Sequence, residues 1–118
     1  MIYNMNLHPE PYEMIKSGVK TIELRLNDEK RSLVEVGDTI FFTNTQTENR
    51  IETIVTELYK FKSFEELYKE LPLDKCGYTE VDLPTAKASD MIAYYSIEKQ
   101  DKYGALGIEV RIVKEHTI

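Results

Sequence analysis

Thr21-Ile22-Glu23-Leu24-Arg25-Leu26 is the stretch on which the fold reading turns. Apolar and polar side chains alternate without a break. An extended strand therefore carries Ile22, Leu24 and Leu26 on one face and Thr21, Glu23 and Arg25 on the other. Just upstream, Gly18 is suited to end a helix, because glycine takes the left-handed backbone conformation without a Cβ clash. That helix begins near Pro9 and Pro11, residues tolerated in a first turn. Tyr12 and Ile15, with Met14 beside them, give it an apolar face. It is short, so packing rather than intrinsic propensity must hold it. Residues 1–6 alternate and lead to Leu7, which suits a strand before the helix.

Downstream, residues 27–30 read as a turn or loop, and Gly37-Asp38 as a tight turn into a buried strand at Thr39-Ile40-Phe41-Phe42. A polar loop over residues 43–50 follows. Residues 51–61 are rich in β-branched side chains and predict a long strand. Ser63-Phe64-Glu65-Glu66 is a capping box opening a helix to about Leu71, with Phe64, Leu67, Tyr68 and Leu71 on one side. Residues 71–84 read as mostly irregular. Residues 85–95 read as a helix with Ala88, Met91, Ile92 and Tyr95 inward, and residues 96–102 as a charged loop. Residues 105–113 predict the last strand. The expected architecture is α+β: a mixed or antiparallel sheet curled toward a β-barrel, with flanking helices, in a single domain over residues 1–118.

Composition narrows the function classes. At 42% hydrophobic and 31% charged, the 118 residues can bury one ordinary core. No apolar run approaches the ~18 residues of a membrane span. The start has no basic region leading into a long apolar one, so a secretory signal is not expected. One cysteine, Cys76, has no internal disulfide partner, and a reducing, cytoplasmic location is the simplest expectation. Cys76, His8 and His116 lack metal-ligand spacing, and no cofactor is expected. The net charge of −6 counts against indiscriminate binding to long nucleic acid. The charge is uneven: residues 16–31 carry +2, leaving −8 for the rest. Within that segment, Lys30 and Arg31 read as solvated surface charges.

Chemistry concentrates where the first helix stops and the strand begins. Glu23 and Arg25 lie two apart on one strand face, roughly 7 Å between Cα atoms, with Lys20 just before them. The bland reading is a surface ion pair on a solvated edge, worth ~0–1 kcal/mol. The functional reading is a polar cleft in which Arg25 offers a planar fork to a phosphate or base edge and Lys20 a point charge. In it, Glu23 accepts from an amino group or holds Arg25. Tyr94, Tyr95 and Tyr103 are candidates for a stacking surface; core or rim packing is the competing role for each.

Three motifs taken together resemble one family: Gly18-Val19-Lys20-Thr21-Ile22-Glu23-Leu24-Arg25, Val36-Gly37-Asp38-Thr39-Ile40-Phe41-Phe42, and Tyr94-Tyr95 with Tyr103-Gly104-Ala105-Leu106-Gly107-Ile108-Glu109. Their order and spacing resemble the ASCH domain of the PUA-like superfamily. The resemblance implies a PUA-like β-barrel, a cleft lined by the Lys20–Arg25 segment, and binding of RNA or a nucleotide-like small molecule. The ligand-binding set would then be Lys20, Thr21, Glu23, Arg25, Tyr94, Tyr95 and Tyr103.

A bacterial branch similar to that family hydrolyses the amide of N4-acetylcytidine with a lysine, a threonine three residues later and a helical glutamate. Lys20 matches the lysine, but Glu23 stands at the threonine position and Ala86 near the glutamate position. Glu80, Asp82 and Asp90 are the nearest carboxylates in sequence. Thr21 is nearer Lys20 but out of register. An amidohydrolase acting on a modified nucleoside, with Lys20 and Glu23 moving protons, is the alternative function.

Overall fold

The computed structural model describes residues 1–117. Five strands form one sheet: β1 (Ile2–Leu7), β2 (Ile22–Leu26), β3 (Thr39–Asn44), β4 (Arg50–Phe61) and β5 (Ala105–His116). Helix α1 (Pro9–Lys16) joins β1 to β2, while α2 (Phe64–Glu70) and α3 (Ile97–Tyr103) lie between β4 and β5. Short 3-10 turns occupy Arg31–Leu33, Leu73–Cys76, Leu83–Thr85 and Ala88–Ala93. The spatial order is β1-β3-β4-β5-β2, with β1 parallel to β3 and every other pair antiparallel. Among the described residues, no helix is long and apolar enough to cross a membrane.

The expected barrel is met in part. The sheet is mixed, but its edge strands β1 and β2 do not pair, so it stays open. The two edges come close enough for one side chain to link them: Arg25 Nη2 donates to the Asn6 carbonyl at 3.0 Å. An arginine, longer than the ~4.8 Å spacing of paired strands requires, spans the gap in place of a backbone ladder. Register shifts in β4 at Glu52/Thr53 and Val55/Glu57 supply the bend, since a bulge increases local twist.

Each face of the sheet buries its own apolar cluster. Leu106, Ile108 and Val110 of β5 pack with Met5, Leu7, Ile40, Phe42 and α1's Tyr12 and Ile15. On the other face, Ile22, Leu24 and Leu26 of β2 pack with Ala105, α2's Phe64 and Leu67, and Met91. Small residues in β5 permit this second layer: a Cβ on Gly107 would meet Leu71 Cδ1 at 2.8 Å.

The segment between α2 and β5 departs from the pattern reading. Residues 85–95 do not form one α-helix. A tight 3-10 turn spans Ala88–Ala93, with Met91 buried and Ile92 48% exposed rather than inward. Asp90 holds it, accepting from the Lys87 amide at 3.2 Å and from Tyr78 Oη at 2.8 Å, so side-chain anchors replace an α-helical ladder. Residues 96–102 are not a loop. Ser96 Oγ accepts from the Lys99 amide and caps α3, and Gly104 at φ +77° ends it. The α2 cap forms as expected at Ser63, but Glu66 reaches back to the Lys62 amide at 3.4 Å, one residue earlier than a capping box requires.

Candidate functional site

The antiparallel register of β2 on β5 sets Glu23 opposite Ile108 and Arg25 opposite Leu106. Directly opposed residues point to the same side of a sheet. The polar face of β2 therefore looks into the curled sheet, and its apolar face looks outward onto α2. A solvated surface ion pair is excluded: Glu23 is 4% and Lys20 8% exposed.

Glu23 is held from both sides. Lys20 Nζ lies 2.7 Å from Oε1, while Arg25 Nε and Nη2 each lie 2.8 Å from Oε2. Burial alone would raise the carboxyl's pKa, but Lys20 and then Arg25 outweigh it and hold it below the ordinary carboxylate value. Glu23 is therefore an ionised positioning group with both oxygens occupied, which suits it poorly to act as a general base. Lys20 reaches it along a path left open by Gly77. At φ +111° that residue is in the left-handed region, and a Cβ there would lie 3.3 Å from Lys20 Cδ.

These three side chains help line a cleft of about 630 Å³. Tyr68, Tyr78, Tyr94 and Tyr95 stand around it. Tyr94 is 69% exposed and has no ring partner among the described residues, whereas Tyr95 stacks on Phe64 with ring centroids 6.2 Å apart. Tyr68 and Tyr78 meet edge-on, and their hydroxyls are 2.6 Å apart. Tyr78 donates to Asp90, which leaves its oxygen to accept from Tyr68, so a relay runs Tyr68, Tyr78, Asp90 along one wall. Burial, reinforced at Tyr78 by these hydrogen bonds, raises the pKa of both phenols and keeps them protonated.

Of the residues singled out in the sequence, Lys20, Glu23, Arg25, Tyr94 and Tyr95 line this cleft. Thr21 and Tyr103 do not. Thr21 is engaged through its backbone with Lys75 and Val110, and Tyr103 Oη donates to Glu29 at 3.2 Å while its ring packs on the outer apolar cluster. Sequence reasoning missed Tyr68, Tyr78 and Asp90 as cleft residues. Tyr68 sat on the apolar stripe of a helix and Tyr78 in an irregular stretch, so no periodicity marked them.

Lys30 is exposed, as expected of a surface charge, whereas Arg31 is partly buried. With Arg25 they line a second, smaller cavity of about 210 Å³ beside residues 3–6 of β1. Arg31 is paired with Asp28 at 2.6 Å, and the Asp28 carboxylate also accepts from the Arg31 amide at 2.9 Å.

Comparison with known proteins agrees with this architecture. The ASCH domain profile matches residues 5–114. The hypothetical protein PH0355 is 29% identical and superposes with a TM-score of 0.79, the match covering 96% of this chain and 100% of that one. Protein PF0455 from Pyrococcus furiosus is likewise 29% identical, with a TM-score of 0.71 and coverage of 97% and 99%. The ASCH protein from Zymomonas mobilis, at 16% identity, TM-score 0.66 and coverage of 98% and 72%, shares the fold. Among curated proteins, none matches this chain. With a profile that spans nearly the whole sequence, the chain belongs to the ASCH domain family.

Proposed function

We propose that the domain binds a nucleoside unit, as a free nucleotide or an unpaired base of single-stranded RNA, in the cleft lined in part by Lys20, Glu23 and Arg25. The observation that carries this is a buried, prealigned donor array in a cleft shared with tyrosines, one of them largely exposed. Lys20 Nζ and the Arg25 guanidinium keep N–H groups beyond those they give to Glu23 and Asn6. Base edges present acceptors to such donors, and base faces stack on tyrosine. The cleft is of ordinary ligand-pocket size.

Charge favours a heterocycle over a polyanion there. The lining holds two cations, Lys20 and Arg25, against four carboxylates, Glu10, Glu23, Asp82 and Asp90. An amidohydrolase reading finds less support. Thr21 does not line the cleft, Glu23 is clamped as a carboxylate, and Asp90 is engaged by Tyr78 and the Lys87 amide.

The test is titration of the protein with a panel of ribonucleosides, ribonucleotides and short single-stranded RNAs at low salt. Tyr94→Ala should weaken binding by ~1–3 kcal/mol, the usual contribution of one base–aromatic stack. Arg25→Met should weaken it as well, while Lys69→Ala, on the exposed face of α2, should leave it unchanged. No binding across the panel, or equal losses in all three variants, would refute the proposal.

A further inference from the structure

The cleft and the smaller cavity share two residues, Asn6 and Arg25, so they adjoin where Arg25 links β2 to β1. Their charges differ in sign. The cleft is lined by more carboxylates than cations, whereas the smaller cavity is lined by Arg25, Lys30 and Arg31 with no carboxylate. The chain as a whole is acidic, at −6, so three convergent cations stand out against their surroundings.

The loop that brings them is structured. Tyr3 Oη donates to the Leu33 carbonyl at 3.2 Å and pins the loop on β1. Asp28 accepts from both the amide and the guanidinium of Arg31 and orders the turn. The three cations are not equally neutralised. Arg25 shares Glu23 with Lys20, and Arg31 has Asp28 to itself. Lys30 is exposed and has no ion-pair partner among the described residues. The cavity therefore keeps positive charge at its rim and unused guanidinium N–H groups within.

We infer that this cavity is a phosphate subsite, taking the phosphate of the nucleotide whose base occupies the tyrosine-walled cleft. Arg25 sits between the two and is the one cation that contacts both spaces. The arrangement separates the ligand's two chemistries: the base enters the cleft, where carboxylates outnumber cations, and the anion reaches past Arg25 into the basic cavity. The inference rests on the nucleoside reading of the cleft for its ligand, but the cavity itself is testable without it.

The experiment measures the phosphate increment, the ratio of nucleotide to nucleoside affinity, in wild type, Lys30→Gln and Lys30→Glu. Lys30 is exposed and unpaired, so both variants should fold. Wild type should bind the monophosphate about tenfold more tightly than the nucleoside, near the lower end for a charge-assisted hydrogen bond. The ratio should fall several-fold in Lys30→Gln and to about one in Lys30→Glu.

A dinucleoside monophosphate and the 3′- and 5′-monophosphates distinguish the sources. An increment kept by the diester marks an RNA chain, and one confined to a monoester marks a free nucleotide. Equal affinity for nucleoside and every phosphorylated form, or an increment unchanged in Lys30→Glu, would overturn the inference. If neither nucleoside nor nucleotide binds, the cleft reading fails, and inorganic phosphate decides the subsite. Amide shifts confined to Asn4, Lys30 and Arg31 and lost in Lys30→Glu uphold it; absent or scattered shifts reject it.

Discussion

Replacing Glu23 with glutamine keeps the side chain's shape and removes its charge, leaving two buried cations with no counter-ion. Lys20 and Arg25 both contact this carboxylate, and the Glu23 side chain is 5% exposed. Removing one partner of a buried ion pair costs ~3–5 kcal/mol. Glutamine retains an acceptor oxygen, so the lower figure applies. A 118-residue domain has an unfolding entropy of roughly 0.25 kcal/mol/K at about 2.1 cal/mol/K per residue. A loss of ~3 kcal/mol therefore lowers Tm by about 12 °C.

The pH dependence adds a second readout. The folded pKa of Glu23 lies below the unfolded value near 4.3, so its stabilisation is full above that unfolded value and is lost as pH falls through the folded one. The gap between wild type and Glu23→Gln should stay constant above about pH 5 and close in more acidic solution. Urea unfolding at a series of pH values, with Asp28→Asn as a partly exposed comparison worth ~1 kcal/mol or less, measures both. A Glu23→Gln loss under ~1 kcal/mol, or a gap that does not narrow as pH falls below about 4, would refute the buried-network reasoning.

Burial pushes the Cys76 thiol up to about 12, so the native protein should react with a thiol reagent at pH 8 at least roughly a thousandfold more slowly than free cysteine, and at the free rate once unfolded. Gly77→Ala places a Cβ against Lys20 at φ +111°. It should cost about 1–2 kcal/mol and weaken ligand binding beyond what its lost stability explains, read by paired unfolding and binding titrations. Purified protein should show no turnover of N4-acetylcytidine, since the position that would carry the hydroxyl is Glu23 and Thr21 lies outside the cleft; product formation near 1 s⁻¹ that disappears in Lys20→Ala would contradict this.

The strict alternation of residues 21–26 was enough to read β2 as a strand, and the Gly18 stop and the Ser63 cap were legible for the same local reasons. Alternation is relative, however, and does not say which face meets water. Both faces of β2 are buried, the apolar one against α2 and the polar one through the contacts of Glu23 with Lys20 and Arg25 and of Arg25 with Asn6. Surface and cleft readings of Glu23 both stay open in the sequence, because only its two neutralising partners make its burial tolerable. Helix α3 was hidden because its residues are mostly exposed and give no apolar stripe; Ser96 before it and Gly104 after it were the available signals. Barrel closure was overread because pairing of β1 with β2 depends on a gap that Arg25 fills, and no local pattern encodes that distance. Tyr78 and Asp90 came together through an irregular segment whose path is set by contacts, not by period.

The most direct test of the account is an amide and methyl NMR titration of the protein with a ribonucleotide panel. Saturable shifts are expected with at least one nucleotide. They should centre on Lys20, Glu23, Arg25 and Tyr94 at the cleft, extend to Lys30 and Arg31 in the adjoining cavity, and need about tenfold or more nucleotide to saturate in Tyr94→Ala. Shifts centred elsewhere, such as on the β4–β5 face remote from the seam, or no saturable shift with any nucleotide, would contradict it.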